Sequence, residues 1–394
     1  MTIANPKTKP INFLKVKKII ISMTEPQFSE VWMTRINYLF SENDLFISTE
    51  GDLSKNKIDN LNYISLFEKI PLPQFLRFKI YKYFANKKLK NILKKIPDNA
   101  VVLCHFLTTA EFYKSVIFSS NKKFYIFCHG HDVTWDRKLE EFPIFNAHHK
   151  NYTKNVKKLI GKVHLISNSI CSTQKLLDIG FKKDEISLNY LSVDTSIYKP
   201  LNQKRERKLI KIVFLGRLVD FKGPLETIRA FSKLIKLGFK SKLDILGDGV
   251  KMGACKKLVN DLGIENNVFF HGAVDKDKAK YFLQQADIFT AHSQRSKITN
   301  QEEAFGVAVI EAMACGLPIV SGASGGLKET VTNGLSGILF EPGDIDAHAN
   351  ALVKLASDQN LRIKMGIYAR KIVCTKFNSK YDKKKLYNIL ETSF

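Results

Sequence analysis

The chain reads as an α/β protein of two domains, each a parallel sheet with crossover helices. Three observations predict this. Strand-like runs alternate with helical patterns from end to end, which is the signature of successive βαβ units. The chain has 394 residues, 44% of them hydrophobic, enough for two ordinary α/β domains. A polar, charged stretch from Pro200 to Lys208 divides the halves as a linker would.

Val16 to Ile21 is the first strand signal. In the stretch after it, Ser29 can cap a helix and Glu30 falls in that helix's first turn. Short strands are expected at Leu45–Ser48 and Val101–His105. Phe124 to Cys128 is a continuous apolar run, as expected of a strand buried on both faces. It ends in His129-Gly130-His131-Asp132. Ligands of open α/β sheets bind beyond the C-terminal ends of the strands, so this tetrad is a site candidate. Another strand is expected near Val163–Ser167.

The second half opens with Ile210 to Leu215, followed by Gly216-Arg217. Asp220-Phe221-Lys222-Gly223-Pro224 comes next, with the proline suited to a first helical turn. Leu243–Leu246, Val268–Gly272 and Ile288–Ala291 read as further strands. Two cations near helix starts, Arg217 and Lys222, make a clamp for a diphosphate, which needs charge and fork-shaped donors together. A final helix is expected from Phe377 to about Leu390. The domain bounds that result are 1–200, 209–375, and a terminal segment 376–394.

The most informative stretch runs from Glu303 to Pro318. Between Val307 and Cys315 it is apolar on every side except for Glu311. This predicts a buried helix that stops at Gly316, with Pro318 blocking continuation. An ionised Glu311 there costs several kcal/mol unless something polar binds it. Glu303 stands just before the helix, where unpaired backbone N–H groups and the positive end of the dipole collect. Phosphates bind at such helix starts. The bland alternative, two solvated carboxylates on a surface helix, fits the apolar surroundings poorly.

Glu303 and Glu311, followed by Ala-Met-Ala-Cys-Gly-Leu-Pro, resemble the signature of retaining, nucleotide-sugar-dependent glycosyltransferases of the large family 4 type. Gly-Arg-Leu-x-x-x-Lys-Gly from Gly216 to Gly223 resembles that family's phosphate-binding pair. The Pro-x-Phe-Ser-Glu entry at Pro26–Glu30 is similar to a subgroup that builds exopolysaccharides, lipopolysaccharides and other lipid-linked glycans. The resemblance implies the GT-B fold, two Rossmann-like domains with parallel sheets facing each other across a cleft. It implies that Glu303 contacts donor-sugar hydroxyls, that Glu311 holds the ribose, and that backbone N–H groups of Phe305, Gly306 and Val307 face the donor. It sets His129 beside the sugar, with Asp132, Ser29 and Glu30 on the acceptor or sugar side. It sets base contacts near Gly249 and His271–Val274. The donor would be a UDP-, GDP- or ADP-sugar and no cofactor or metal would be required. A metal reading of His129, His131 and Asp132 is the alternative for that tetrad.

Lys and Arg total 62 against 38 acidic residues, a formal charge of +24. That balance suits anionic partners. The six cysteines are scattered without a C-x-x-C pair, arguing for reduced thiols and a cytoplasmic setting. No secretory signal and no run of about 20 apolar residues is read. Between Pro73 and Pro97 there is no acidic residue. At helical spacing Phe75, Phe78, Ala85, Leu89, Ile92, Leu93 and Ile96 share one stripe. Lys87, Lys88, Lys90, Lys94 and Lys95 fall opposite, with Leu76, Ile80, Tyr83 and Phe84 beside them. This predicts an interfacial helix that holds the enzyme on the inner face of the cytoplasmic membrane. The alternatives are a sugar-nucleotide epimerase, a pyridoxal-dependent phosphorylase and a basic nucleic-acid-binding protein. An epimerase keeps no glutamate pair of this kind, a phosphorylase needs a pyridoxal-phosphate lysine site that is not found, and charge alone supports the third.

Overall fold

The computed structural model describes residues 11–23, 39–50, 61–67, 74–133, 151–201, 209–297 and 299–391. The chain divides into two compact units. One comprises residues 1–168, 172–189 and 385–394; the other comprises 169–171 and 190–384.

The first unit is built on a parallel sheet of seven strands. They are β1 (Lys18–Ser22), β2 (Leu45–Glu50), β3 (Asn62–Phe67), β4 (Val101–His105), β5 (Lys123–Cys128), β6 (His164–Ser167) and β7 (Ile186–Leu188), in the order β3-β2-β1-β4-β5-β6-β7. Its helices are α1 (Gln74–Leu93), α2 (Leu107–Phe112), α3 (Lys114–Phe118), α4 (Tyr152–Lys157) and α5 (Ile170–Ile179). Side chains alternate across the sheet. Ile19, Ile21, Ile47, Val102, Cys104 and Ile126 enter one core. Ile20, Phe46, Leu103, Tyr125, Phe127 and Ile166 enter the other, together with Leu386 and Leu390 from the end of the chain. Ser29 and Glu30 lie outside the described residues.

Helix α1 buries Ala85, Leu89 and Leu93, and Ile96 just beyond it, as the stripe predicts. Its outer face leaves Tyr83 67% and Phe84 48% exposed, with Lys87, Lys90 and Lys94 also exposed. The lysine expectation needs one correction. Lys88 Nζ donates to Leu66 O at 2.6 Å and lies 4.1 Å from the Phe67 ring centre. Lys95 Nζ lies 5.6 Å from the Phe13 ring centre. Two of the five are therefore engaged with their own protein. The side chains of 74–81, hence of Phe75, Leu76, Phe78 and Ile80, lie outside the described residues.

The second unit carries a parallel sheet of β8 (Ile210–Leu215), β9 (Ser241–Leu246), β10 (Val268–Phe270), β11 (Ile288–Ala291), β12 (Ile319–Gly322) and β13 (Gly337–Phe340), ordered β10-β9-β8-β11-β12-β13. Around it lie α6 (Pro224–Lys236), α7 (Met252–Asp261), α8 (Lys276–Gln285), α9 (Val307–Ala314), α10 (Leu327–Thr330), α11 (Ile345–Ser357) and α12 (Gln359–Lys376). α13 (Ser379–Glu391) ends the described chain. The boundary falls at Asn189/Tyr190 and not at 200. The reason is packing: Val193 and Tyr198 are buried in the second unit's core. Both sheets have the Rossmann arrangement, in which the strand order reverses at a switch point. In the first unit that point lies between β1 and β4; in the second it lies between β8 and β11.

Candidate functional site

In the second unit, the strands flanking the switch point end in the residues singled out above. β8 leads to Gly216 and Arg217. At Gly247, φ is +136° and a Cβ would stand 1.9 Å from Gly216 O, so the loop after β9 can press on the loop after β8 only with glycine there. The turn Asp220–Lys222 closes at Gly223, whose φ of +58° ends the turn and starts α6 with Pro224 at its first position. Arg217 and Lys222 flank one ring: the guanidinium carbon is 5.9 Å, and the ammonium 5.5 Å, from the centre of Phe221. Arg217 is exposed.

Lys222 Nζ forms an ion pair with Glu303 Oε2. Both groups are largely buried, with side-chain exposures of 18% and 12%. Glu303 is held there by the turn at Ser324-Gly325-Gly326. Gly326 N–H donates to Glu303 O at 2.8 Å. A Cβ at Gly325 would meet Glu303 O at 2.0 Å, and one at Gly326 would meet Ala304 O at 2.2 Å. Gly306, at φ +90°, caps α9 with no side-chain hydrogen bond, so the first backbone N–H groups of the helix have no capping side chain. The Phe305 side chain is buried against Tyr190 and Phe377; its backbone alone can serve a ligand. Glu311 is 9% exposed between buried Ile310 and Ala312. The helix stops at Cys315, with Gly316 at φ +75°, as its sequence predicts.

The first unit has its own cluster at the ends of β4 and β5. His105 Nδ1 and His129 Nε2 are 3.2 Å apart. Phe106 lies against both His129 and His131, with ring centres 4.8 and 4.5 Å away. Its φ is +71°, a strained conformation for a bulky residue that tends to persist where surrounding structure imposes it. Burial pushes His105 down to about 3. Desolvation first, then the neighbouring His105 and His131, hold His129 well below the ordinary imidazole value. Both are neutral imidazoles at ordinary pH. Asp132, which the resemblance sets on the acceptor or sugar side, has a fully buried side chain. Its carboxylate accepts from the backbone N–H of Leu107 at 2.9 Å, His129 at 3.0 Å and Gly130 at 2.8 Å. Those bonds fix the turn that carries His129 and occupy both oxygens. Among the described residues no three His, Cys, Asp or Glu are grouped to hold a metal ion.

Sequence reasoning missed His105 and Phe106. Their one signal was position: they end β4 at the switch point. It also missed His292 and His348, which are 56 residues apart in sequence and hydrogen bonded.

Residues 199–372 match the family described as "Glycosyl transferases group 1". The chain is 31% identical over 159 residues to a GDP-mannose-dependent alpha-(1-6)-phosphatidylinositol monomannoside mannosyltransferase of Mycolicibacterium smegmatis, covering 40% of this chain and 42% of that protein. It is 27% identical over 263 residues to an amylovoran biosynthesis glycosyltransferase of Erwinia amylovora, covering 67% of this chain and 62% of that one. These alignments thus span roughly half the length of the relatives they match. Among solved structures, an Anabaena protein in complex with UDP and glucose superposes with a TM-score of 0.76 at 17% identity, over 95% of this chain and 100% of that one. That likeness concerns the fold, which is GT-B: two Rossmann-like units with parallel sheets.

Proposed function

We propose that this chain, whose residues 199–372 match the group 1 glycosyltransferase family, transfers a sugar from a nucleoside-diphosphate sugar to a glycan or lipid-linked acceptor in cell-surface polysaccharide synthesis. The observation that carries the reading is the Lys222–Glu303 pair beside the uncapped start of α9. A cation, a carboxylate and helix N–H groups at a switch point match the three demands of such a donor: phosphate charge, sugar hydroxyls and directed donors. In the free protein the carboxylate partners the lysine. Donor diphosphate takes over Lys222 and Arg217, releasing Glu303 to accept from sugar hydroxyls. Glu311, the carboxylate of the apolar α9, binds the ribose. The GDP-mannose requirement in the name of the mycobacterial relative, and UDP in the Anabaena complex, make those two nucleotides the first to try.

Transfer proceeds with retention and without a metal. As the glycosidic bond breaks, negative charge develops on the leaving diphosphate, where Arg217, Lys222 and the N–H groups of Phe305–Val307 stabilise it. Neutral His129 orients the sugar and the acceptor hydroxyl by hydrogen bonds. The exposed Tyr83, Phe84, Lys87, Lys90 and Lys94 on α1 support a membrane-surface acceptor. Rings at the headgroups and lysines on anionic lipid are what an interfacial helix supplies. None of the described helices is long and apolar enough to cross a membrane.

A thermal-shift screen of UDP-, GDP- and ADP-sugars tests the reading. A true donor at a hundred times its dissociation constant adds about 2.7 kcal/mol of stability. No shift with any of them contradicts it.

A further inference from the structure

At the exit of β11, one strand from the Lys222 turn, two fully buried histidines meet. Gly343 N–H donates to His292 Nε2 at 2.9 Å, so a neutral His292 carries its proton on Nδ1. That nitrogen is 3.0 Å from His348 Nδ1, which must then accept, leaving the His348 proton on Nε2. His348 Nε2 in turn lies 2.7 Å from Thr290 Oγ1, and Thr290 Oγ1 donates to Val320 O at 3.2 Å. The four bonds run in one direction with every tautomer fixed. A proton added at His348 Nδ1 would face the His292 N–H, and one added at His292 Nε2 would face the Gly343 N–H. Either breaks the chain of bonds.

The same segment grips the phosphate turn. His292 N–H donates to Thr227 Oγ1 at 2.9 Å, and that hydroxyl donates to Gly223 O at 2.8 Å. A Cβ on Gly223 would stand 2.1 Å from His292 O. Two residues on, Gln294 N–H donates to Phe221 O at 2.9 Å, and its side chain donates to Asp220 O at 3.1 Å. The backbone on either side of Lys222 is therefore moulded on residues 292–294.

We propose that His292 and His348 are positioning residues for the donor-phosphate turn, a neutral imidazole pair that holds Lys222 in place and lets it go in acid. The proposal rests on the reading of Lys222 and Glu303 as a nucleotide-sugar site. Burial holds both rings below the usual value of 6.5, His292 at about 4 and His348 well below 6.5. Asp344, before α11, is the charged group acting on His292, in the opposite sense. The neighbours that meet the pair from α6, β11 and β13 are Thr227, Thr290 and Phe340, and Val320 of β12 meets Thr290; none of them is titratable.

Two measurements test this, on wild type, His348→Leu and His348→Gln. Amide hydrogen exchange across residues 219–227 reads the turn without any donor. Calorimetric titration with GDP-mannose and with UDP-glucose, neither of which ionises near neutrality, reads the site. His348→Leu is expected to speed exchange in the turn and to weaken donor binding roughly tenfold at pH 7.5 by misplacing Lys222. His348→Gln, which keeps a donor and an acceptor, recovers most of both. Wild type itself loses protection in the turn, measured against the intrinsic exchange rate at each pH, and loses affinity between pH 6.5 and 4, and His348→Leu flattens that profile. Unchanged protection of the turn in His348→Leu, or in wild type across that range if the variant does not fold, overturns the proposal. Faster exchange in a protein that binds neither donor keeps the positioning pair and sinks the nucleotide-sugar reading instead.

Discussion

Glu303 and Asp132 are both carboxylates at loop positions, and their surroundings give them opposite parts. Glu303 spends its charge on a single ammonium, which a diphosphate can displace. Glu303→Gln is therefore expected to keep the fold and the donor affinity while abolishing transfer; near-wild-type turnover would remove it from the mechanism. Lys222→Ala and Arg217→Ala should each cost about 2–3 kcal/mol of transition-state stabilisation, the size of a charge-assisted contact, read from kcat/KM. Asp132 is bound to three backbone N–H groups. Asp132→Ala strands buried donors and is expected to cost about 1–3 kcal/mol of folding stability, measured by denaturant melts. A stability change near zero would show that the turn carrying His129 holds without it. The sequence could signal Glu303, because an apolar helix behind a carboxylate is a local pattern. It could not signal that Asp132 turns inward, because its partners include Leu107, 25 residues earlier.

Most of the strands that the sequence disclosed lie inside their sheets, with β10 at an edge the exception. β1, β4, β5, β8 and β9 each have a strand on either side, and an apolar run or its alternation marks them. Of the strands not read, β3, β7, β12 and β13, all but β12 are the outermost in their sheets on one side. An edge strand needs fewer apolar residues, and β13 has only four residues. The loop holding Glu303 depends on glycine more than on any side chain. Gly326→Ala drives a methyl into Ala304 O and is expected to lower thermal stability and cut donor turnover together; loss of neither would show that the loop adapts freely. On α1, Lys87, Lys90 and Lys94 are the exposed lysines not engaged as Lys88 and Lys95 are. Changing these three to Glu is expected to release the protein from anionic liposomes in flotation while donor hydrolysis persists. Wild type that ignores anionic liposomes at low salt would contradict the membrane part.

At the scale of the molecule, each unit keeps its own core, and each gathers its candidate chemistry at the switch point of its own sheet. Four histidines, the buried His105, His292 and His348 and the half-buried His129, titrate below their ordinary value in the folded state. Their contribution to stability is complete above the unfolded value of 6.5 and is lost as pH falls toward the folded ones, because the unfolded chain then binds more protons. Melting temperatures should accordingly decline on the acid side of neutrality. The central claim is that Lys222 and Glu303 serve a nucleotide sugar. The most direct measurement is calorimetric titration of GDP-mannose and UDP-glucose into wild type, Lys222→Ala and Glu303→Gln, followed by assay of donor turnover. The account predicts that one donor binds wild type, binds Lys222→Ala at least about tenfold more weakly, and binds Glu303→Gln without being turned over. Equal affinity for wild type and Lys222→Ala, or undiminished turnover by Glu303→Gln, would contradict it.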